Sequence, residues 1–192
     1  MKEAGTNRFM NRRKFCKLTT LGLVGSCFPA LTAVADLSAD SERSLSFVHL
    51  HTGETLQQTT YWKNGRAQKA SIERIFHILR DHRTDEIAPI DIALLDQLNL
   101  LNRALSHSGP LHVISGFRSE STNLYLRQKS QGGGVAKSSL HMEGRAIDIR
   151  VPGFTTGEIF EAAASMKQGG VGYYPGLKFV HMDTGPIKSW SG

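Results

Sequence analysis

A leucine stripe near the middle of the chain limits what the chain can fold into. Its apolar residues recur at three- and four-residue spacing, which places them on one face of a helix that must be buried. The stripe consists of Leu94, Leu95, Leu98, Leu101 and Leu105. Asp91 is placed to cap this helix, and the same spacing predicts a second one-sided helix over residues 67–80. Both helices need an apolar surface that other segments must supply.

Short runs of β-branched and aromatic residues can supply that surface. The segments with strand composition are 45–50, 55–62, 111–115, 145–151, 171–174 and 179–183. Two more helices are expected, one around 123–128 and one from a cap at Thr155 or Thr156 through Lys167. The order of the elements predicts a single α+β domain, with a mainly antiparallel sheet and helices packed against it.

Residues 1–35 have the features of a targeting segment. A basic stretch that ends at Lys17 is followed by a mildly apolar run, and Ala33-Val34-Ala35 has the small-residue pattern of a signal peptidase site. The pair Arg12-Arg13, followed by lysine and an aromatic residue, resembles a twin-arginine signal, although such a pair also arises by chance in ordinary basic regions. We therefore expect a twin-arginine signal peptide over 1–35, a flexible polar lead-in over 36–44 and a periplasmic protein.

Both cysteines of the chain, Cys16 and Cys27, lie in this leader. A domain without the leader would have neither a disulfide nor a thiolate ligand, so a metal site there must use His, Asp or Glu. Residues 24–27 loosely resemble a lipoprotein cleavage box. Anchoring through Cys27 is therefore a minor alternative to a freely periplasmic protein.

The positive charge of the chain is concentrated at its N-terminus. The formal net charge is +6, from 23 basic and 17 acidic residues. Residues 1–35 hold six of the basic residues and one of the acidic residues, which leaves 17 and 16 for the rest of the chain. A nearly neutral domain lacks the electrostatic footprint of a nucleic-acid-binding protein, so no nucleic-acid partner is expected.

The stretch 139–148 contains residue types that bind metals. A catalytic zinc ion needs three protein ligands that offer nitrogen or oxygen, with one position left open. His141 and Asp148 are suitable, and they can share one ion if Gly144 turns the chain back on itself.

A third ligand must come from a distant segment, and the predicted strand 179–183 offers one. Side chains two residues apart on a strand share a face, so His181 and Asp183 should point the same way while Val180 and Met182 face the core. Composition alone leaves another interpretation open, because an isolated histidine is more often a hydrogen-bonded structural residue than a ligand.

The pattern Ser-x-His-x-x-Gly-x-Ala-x-Asp at 139–148, followed by a late histidine on a strand, resembles a family of zinc peptidases. This family includes D-alanyl-D-alanine carboxypeptidases and dipeptidases as well as murein endopeptidases. A closer likeness, to the YcbK-type murein endopeptidases, covers nearly the whole chain. The segments that carry it are 50–54, 114–119, 169–175 and 179–186, together with the leader.

The resemblance implies a zinc peptidase domain over 45–192, with the fold of the hedgehog and D,D-peptidase group. The zinc ligands that it implies are His141, Asp148 and His181. It also implies that Arg118 and Ser139 lie near the substrate, which would be the stem peptides of peptidoglycan. Arg118 could then hold a substrate carboxylate or stabilise the oxyanion of the tetrahedral intermediate through its charged fork.

One residue departs from the family pattern. Many members place Glu or Asp three residues before the second histidine ligand, as the base that accepts a proton from water, and here that position is Lys178. A lysine ammonium cannot accept a proton at neutral pH unless its pKa is greatly lowered. Asp183 is the preferred substitute, although it can equally serve to orient a ligand, and Glu143 is a weaker candidate.

Two functions from different classes fit these observations. The first is a zinc-dependent murein endopeptidase that cuts peptide cross-links, including those that join two diaminopimelate residues. D,D- or L,D-carboxypeptidase action on stem peptides would use the same chemistry. The second is a non-catalytic peptidoglycan-binding module, which Lys178 at the position of the base would favour. No protein partner beyond the export machinery is implied.

Overall fold

The computed structural model describes residues 42–130 and 135–192. The strands are β1 Arg43–His49, β2 Thr55–Lys63, β3 Arg66–Ala67, β4 Leu111–Ser115, β5 Ala146–Arg150, β6 Gly170–Tyr174, β7 Phe179–Asp183 and β8 Lys188–Ser191. The α-helices are α1 Lys69–Ile78, α2 Ile92–Ala104, α3 Glu120–Lys129 and α4 Thr156–Ser165, and Leu140–Glu143 forms a 3-10 helix. Within these residues no helix has both the length and the apolar character to cross a bilayer. The expected signal peptide lies outside the described residues.

The strands form one sheet in the order β3-β2-β1-β4-β5-β7-β6-β8. Strand β1 pairs in parallel with β4, and β6 pairs in parallel with β8. The other neighbouring pairs are antiparallel. The predicted α+β fold with a mainly antiparallel sheet is therefore confirmed.

The leucine stripe of α2 lies in the core, as the spacing predicts. Asp91 caps this helix, because its carboxylate accepts a hydrogen bond from the backbone N–H of Ala93 at 2.9 Å. The stripe residues with at most 1% exposure are Leu94, Leu95, Leu98 and Leu101. Helix α2 packs against β1, while α4 covers β6 and β7. Helices α2 and α4, which also contact each other, thus shield one face of the sheet, and polar side chains of the central strands can gather on the other.

The first strand begins two residues before the predicted Leu45. Arg43 is only 8% exposed, and its guanidinium pairs with Asp96 of α2 at 2.9 Å. This long-range ion pair draws the last residues of the expected lead-in, Arg43 and Ser44, into the sheet. A pattern of neighbouring residues does not show such a contact, which explains the difference.

Strand β8 was not expected from the sequence. Its four residues, Lys-Ser-Trp-Ser, are too few and too polar to show a strand period. The strand exists because it adds to the edge of the sheet beside β6, with Trp190 opposite Gly172. Its position matters because it borders the cavity described below.

Candidate metal centre

Strands β5 and β7 place two of the predicted ligands opposite each other. The register of this antiparallel pair sets Asp148 directly across from His181. On β7, Val180 and Met182 are at most 1% exposed within the core. Because successive side chains of a strand alternate between faces, His181 and Asp148 meet on the face that α4 does not cover.

Gly144 brings the third residue to the same place. His141 lies in the 3-10 helix, and Gly144 ends that helix in the left-handed region at φ +65°. A Cβ atom at this position would overlap the carbonyl oxygen of Pro89, so the reversal needs glycine for both its conformation and its size. The turn that the metal hypothesis requires is therefore present.

The nitrogen and oxygen atoms of the three side chains converge on one point. Nε2 of His141 lies 3.2 Å from Nδ1 of His181, and both nitrogens approach Oδ1 of Asp148, at 3.3 and 2.9 Å respectively. In the described ranges, this is the one group of His, Cys, Asp and Glu side chains that could hold a metal ion by the closeness of its donor atoms.

Each histidine is oriented by a partner on the far side of its ring. Nδ1 of His141 lies 2.7 Å from the carbonyl oxygen of Gly116, which can only accept, so this nitrogen carries the proton and donates. Nε2 of His181 lies 3.1 Å from Oδ2 of Asp183 and can donate in the same way. The remaining nitrogen of each ring faces Asp148, and it is the nitrogen that a histidine oriented in this way offers to zinc.

The charges of this group also suit a cation. Burial raises the pKa of Asp148, but the two histidines outweigh it and hold that pKa well below its usual range. Burial lowers the pKa of His181, but its hydrogen bonds to Asp148 and Asp183 prevail and raise it to about 9. Burial lowers the pKa of His141. The site therefore keeps an ionised carboxylate that holds positive charge on His181, beside a neutral His141. A divalent metal ion would supply that positive charge in place of the proton on Nδ1 of His181.

Asp183 is almost enclosed by the chain. It is 2% exposed, and its Oδ1 accepts hydrogen bonds from the backbone N–H groups of Gly170 and Gly185 at 3.0 and 2.7 Å. Its other oxygen faces Nε2 of His181. The imidazole ring therefore separates Asp183 from the point at which the candidate ligands converge.

These residues lie in a cavity of about 630 Å³. Arg118 and Ser139, which the family resemblance places near the substrate, both line it. Arg118 is 8% exposed, and its Nη2 lies 3.4 Å from Oδ2 of Asp148 and from Oγ of Ser115. The cavity therefore combines the candidate metal ligands with a buried cation.

Comparison with known proteins assigns the family. Residues 37–190 match the model of the peptidase M15_2 family, described as peptidoglycan L,D-endopeptidase MepK. The chain belongs to this family. Peptidoglycan L,D-endopeptidase MepK of Escherichia coli K12 is 41% identical over 180 residues, which are 94% of this chain and 97% of the relative. The probable MepK of Haemophilus influenzae is 35% identical over 183 residues, or 95% and 96% of the two chains.

The family expected from the motifs is thus confirmed, and the chain is a member of a group of peptidoglycan peptidases. The matched region contains all of the candidate ligands as well as Arg118 and Ser139. A comparison with solved structures finds no match.

Lys178, which occupies the position of the expected base, and Glu143, the weaker candidate for that base, both lie apart from this cavity. Lys178 is exposed on the turn between β6 and β7 and does not line the cavity. Glu143 is also outside the lining, and its carboxylate pairs with Arg145 at 3.1 Å. Of the residues that line the cavity in the described part of the chain, only Asp148 and Asp183 are acidic.

The structure adds three cavity residues that the sequence did not single out. Tyr174 at the end of β6, and Lys188 and Trp190 of β8, all line the cavity. The indole N–H of Trp190 donates to the hydroxyl oxygen of Tyr174 at 2.9 Å. The sequence held one indication of these residues, since Tyr174 lies inside the run 169–175 that resembles the family. Nothing in the local sequence marks β8 as a strand, so Lys188 and Trp190 had no such indication.

Asp81 supports the cavity from outside it, a role that no sequence pattern indicated. Its carboxylate is 1% exposed and accepts hydrogen bonds from the backbone N–H of Ser119 at 2.9 Å and from its hydroxyl at 2.7 Å. Ser119 caps α3 and directly follows Arg118. Asp81 therefore fixes the turn that presents Arg118.

Proposed function

We propose that this protein is a zinc-dependent endopeptidase that hydrolyses peptide cross-links of peptidoglycan. Both relatives described above are named as peptidoglycan L,D-endopeptidases, one of them as probable, and the match extends over nearly the whole chain. The observation that carries the proposal is the convergence of two imidazole nitrogens and one carboxylate oxygen in an open cavity. This is the donor set of a catalytic zinc site with one coordination position free for chemistry.

The zinc ligands in this proposal are His141, Asp148 and His181. Zinc bound there would polarise the scissile carbonyl and make a water molecule more acidic. The protein contributes the preset ring orientations, since the Gly116 carbonyl and the Asp183 carboxylate hold the two imidazoles in the tautomers that ligation requires.

Asp183 is assigned to orientation rather than to proton transfer. Oδ1 already accepts two backbone hydrogen bonds, and Oδ2 faces the far side of His181. A general base must come within hydrogen-bond reach of the proton that it removes. The side chain of His181 lies between Asp183 and that position, which supports the second of the two roles considered for Asp183.

Arg118 is assigned to the substrate. Its guanidinium borders the cavity and contacts Asp148 through Nη2 alone, at 3.4 Å. The remaining N–H groups of a guanidinium form a fork that matches a carboxylate. Stem peptides of peptidoglycan carry free carboxylates, so Arg118 would hold one of them and set which bond reaches the site. Ser139 lines the same cavity and would contact the substrate nearby.

The proposal includes export to the periplasm by the twin-arginine route. It is supported by the leader at residues 1–35 and by the location of the substrate outside the cytoplasm. Cell fractionation would test it. A change of Arg12-Arg13 to Lys-Lys should leave the protein in the cytoplasm, whereas unchanged export would show that another route is used.

Defined muropeptides test the activity. The purified protein with zinc is incubated with dimers that join two diaminopimelate residues, with dimers that join D-alanine to diaminopimelate, and with monomeric stem peptides. Products are identified by mass. We expect dimers to become monomers in the first case. Loss of a single terminal residue from monomers would indicate a carboxypeptidase, and binding without any cleavage would indicate the non-catalytic module.

A matched pair of variants links the activity to the site. His141→Ala removes a proposed ligand, while His77→Ala changes an exposed histidine on α1. We expect the first variant to lose both bound zinc and cleavage, and the second to keep both. Full cleavage by His141→Ala without zinc would refute the metal assignment.

A further inference from the structure

We infer that Tyr174 is a catalytic residue that stabilises negative charge on the scissile carbonyl oxygen, and that Trp190 positions it. The inference rests on the proposed peptidase function and adds a hydrogen-bond donor to it. Neither residue belongs to the candidate ligand set. Tyr174 would donate a hydrogen bond in the transition state and keep its proton throughout.

The hydrogen bond between the two side chains determines which way the phenol can donate. An indole N–H is a donor only, so the hydroxyl oxygen of Tyr174 must be the acceptor of the 2.9 Å bond from Trp190. The hydroxyl proton of Tyr174 is then left for another acceptor. Among residues 42–130 and 135–192, the structure shows no protein group that accepts it.

The ring of Tyr174 is held in place by close packing. Phe179 stacks on it with ring centroids 4.5 Å apart and an interplanar angle of 16°. A Cβ atom at residue 172 would come within 2.8 Å of the rings of both Tyr174 and Trp190, so Gly172 leaves the space that both rings occupy. A donor fixed in this way loses little entropy when it meets its acceptor, which is what electrostatic preorganisation requires.

The sheet places this donor across the candidate metal site from Arg118. The ligands Asp148 and His181 lie on the neighbouring strands β5 and β7. Arg118 follows β4 on one side of this pair, and Tyr174 ends β6 on the other side. Both side chains line the same cavity.

Trp190 connects the donor to the ligands. Its ring lies 5.3 Å from the ring of His181, between centroids, while its N–H holds Tyr174. A substrate peptide in the cavity would therefore contact Arg118 on one side and the free O–H of Tyr174 on the other. The carbonyl oxygen gains negative charge as water adds, and a phenol with an unused proton is a suitable partner for it.

Steady-state kinetics on a cross-linked dimer that the wild-type protein cleaves test this inference. Tyr174→Phe removes the hydroxyl and keeps the ring that stacks on Phe179. Removal of one oxyanion donor typically costs about 10²- to 10³-fold in kcat, so we expect a loss of about 10²-fold with KM nearly unchanged. Tyr173→Phe is the matched control, since Tyr173 packs against Phe160 at 5.2 Å and does not line the cavity. Bound zinc should stay unchanged in both variants.

The positioning role of Trp190 requires a double-mutant comparison. We expect Trp190→Phe to lower kcat by about 10-fold in the wild-type background and to have little effect once Tyr174 is Phe, because Trp190 acts through that hydroxyl. Equal losses in both backgrounds would overturn the positioning role. An unchanged kcat in Tyr174→Phe, or a change in KM alone, would overturn the catalytic role. A wild-type protein that cleaves no dimer would overturn the proposed function and, with it, this inference.

Discussion

Oδ2 of Asp183 lies 3.1 Å from Nε2 of His181, which is two residues earlier on the same strand. The opposite nitrogen of that imidazole lies 2.9 Å from Oδ1 of Asp148. Because side chains two residues apart on a strand share a face, the candidate ligand His181 and its orienting carboxylate Asp183 lie on the same face of β7. Since Oδ1 of Asp183 accepts two backbone N–H groups, this carboxylate has a single orientation available.

Asp183→Asn should weaken zinc binding. The amide oxygen would take the two backbone hydrogen bonds, so the NH₂ group would face Nε2 of His181. The imidazole would then carry its proton on Nδ1, where ligation needs a lone pair. Loss of such an orienting partner typically costs 10- to 100-fold in metal affinity, and we expect about that loss in a zinc titration, with cleavage largely restored at saturating zinc.

The same titration distinguishes the two roles considered for Asp183. If Asp183 is the general base, Asp183→Asn should bind zinc with wild-type affinity and show no turnover at any zinc concentration. That result would contradict the orienting role. Glu143→Gln is the matched control, because Glu143 is an acid close in sequence to His141 but outside the cavity lining. It should change neither quantity.

Arg118→Lys should lower kcat/KM for cross-linked dimers by about 10-fold or more, since lysine keeps the charge and loses the fork that binds a carboxylate. Bound zinc should stay at the wild-type level, because Arg118 contacts Oδ2 of Asp148, whereas the two histidines approach Oδ1. Arg74→Lys, on the exposed face of α1, serves as the control and should change neither kcat/KM nor bound zinc. If Arg118→Lys binds zinc and keeps the full kcat/KM, the proposed role of Arg118 in substrate binding is wrong.

Local periodicity was enough to predict the features that depend on neighbouring residues. The alternation at 179–183 separates His181 from the buried Val180 and Met182, and the leucine spacing in α2 identifies its buried face. The turn at Gly144 was also part of the metal hypothesis, because His141 and Asp148 are seven residues apart and can share one ion if the chain reverses between them. Each of these follows from a period of 2.0 or 3.6 residues or from a single glycine.

The remaining features depend on contacts between distant residues. Asp81 and Ser119 are 38 positions apart, and Arg43 meets Asp96 across 53 positions. Trp190 becomes part of the cavity only because β8 adds to β6 in parallel. No pattern of neighbouring residues reports such pairings, so these roles became visible only in the fold.

Asp81 should make the stability of the protein depend on pH in the acid range. Burial raises the pKa of this carboxyl, but hydrogen bonds from Thr122, Ser119 and the backbone of Arg83 and Ser119 outweigh it and lower the pKa to about 2. An unfolded chain has an Asp pKa of about 3.9, so Asp81 stabilises the folded state above that pH by about 2 kcal/mol. This contribution should disappear as the pH falls from about 4 to about 2.

Urea unfolding of Asp81→Asn and wild type at several pH values checks this dependence. We expect the variant to be less stable by about 2 kcal/mol at pH 7, with the difference shrinking below pH 4 as Asp81 of the wild type becomes protonated. Glu86→Gln, which changes an exposed acid in the same loop, is the control. A difference that stays constant down to pH 3 would show that Asp81 acts through packing rather than through its charge.

Gly144→Ala should remove the metal site by blocking the turn that presents His141. The new Cβ would overlap the carbonyl oxygen of Pro89, in addition to the left-handed strain of about 1–2 kcal/mol at φ +65°. Gly153→Ala separates the two effects, since Gly153 has φ +87° and no atom near its Cβ position. We expect both variants to have a lower melting temperature in thermal unfolding. Only Gly144→Ala should have a lower zinc affinity in the titration. Wild-type zinc affinity in Gly144→Ala would mean that the approach to Pro89 does not control the position of His141.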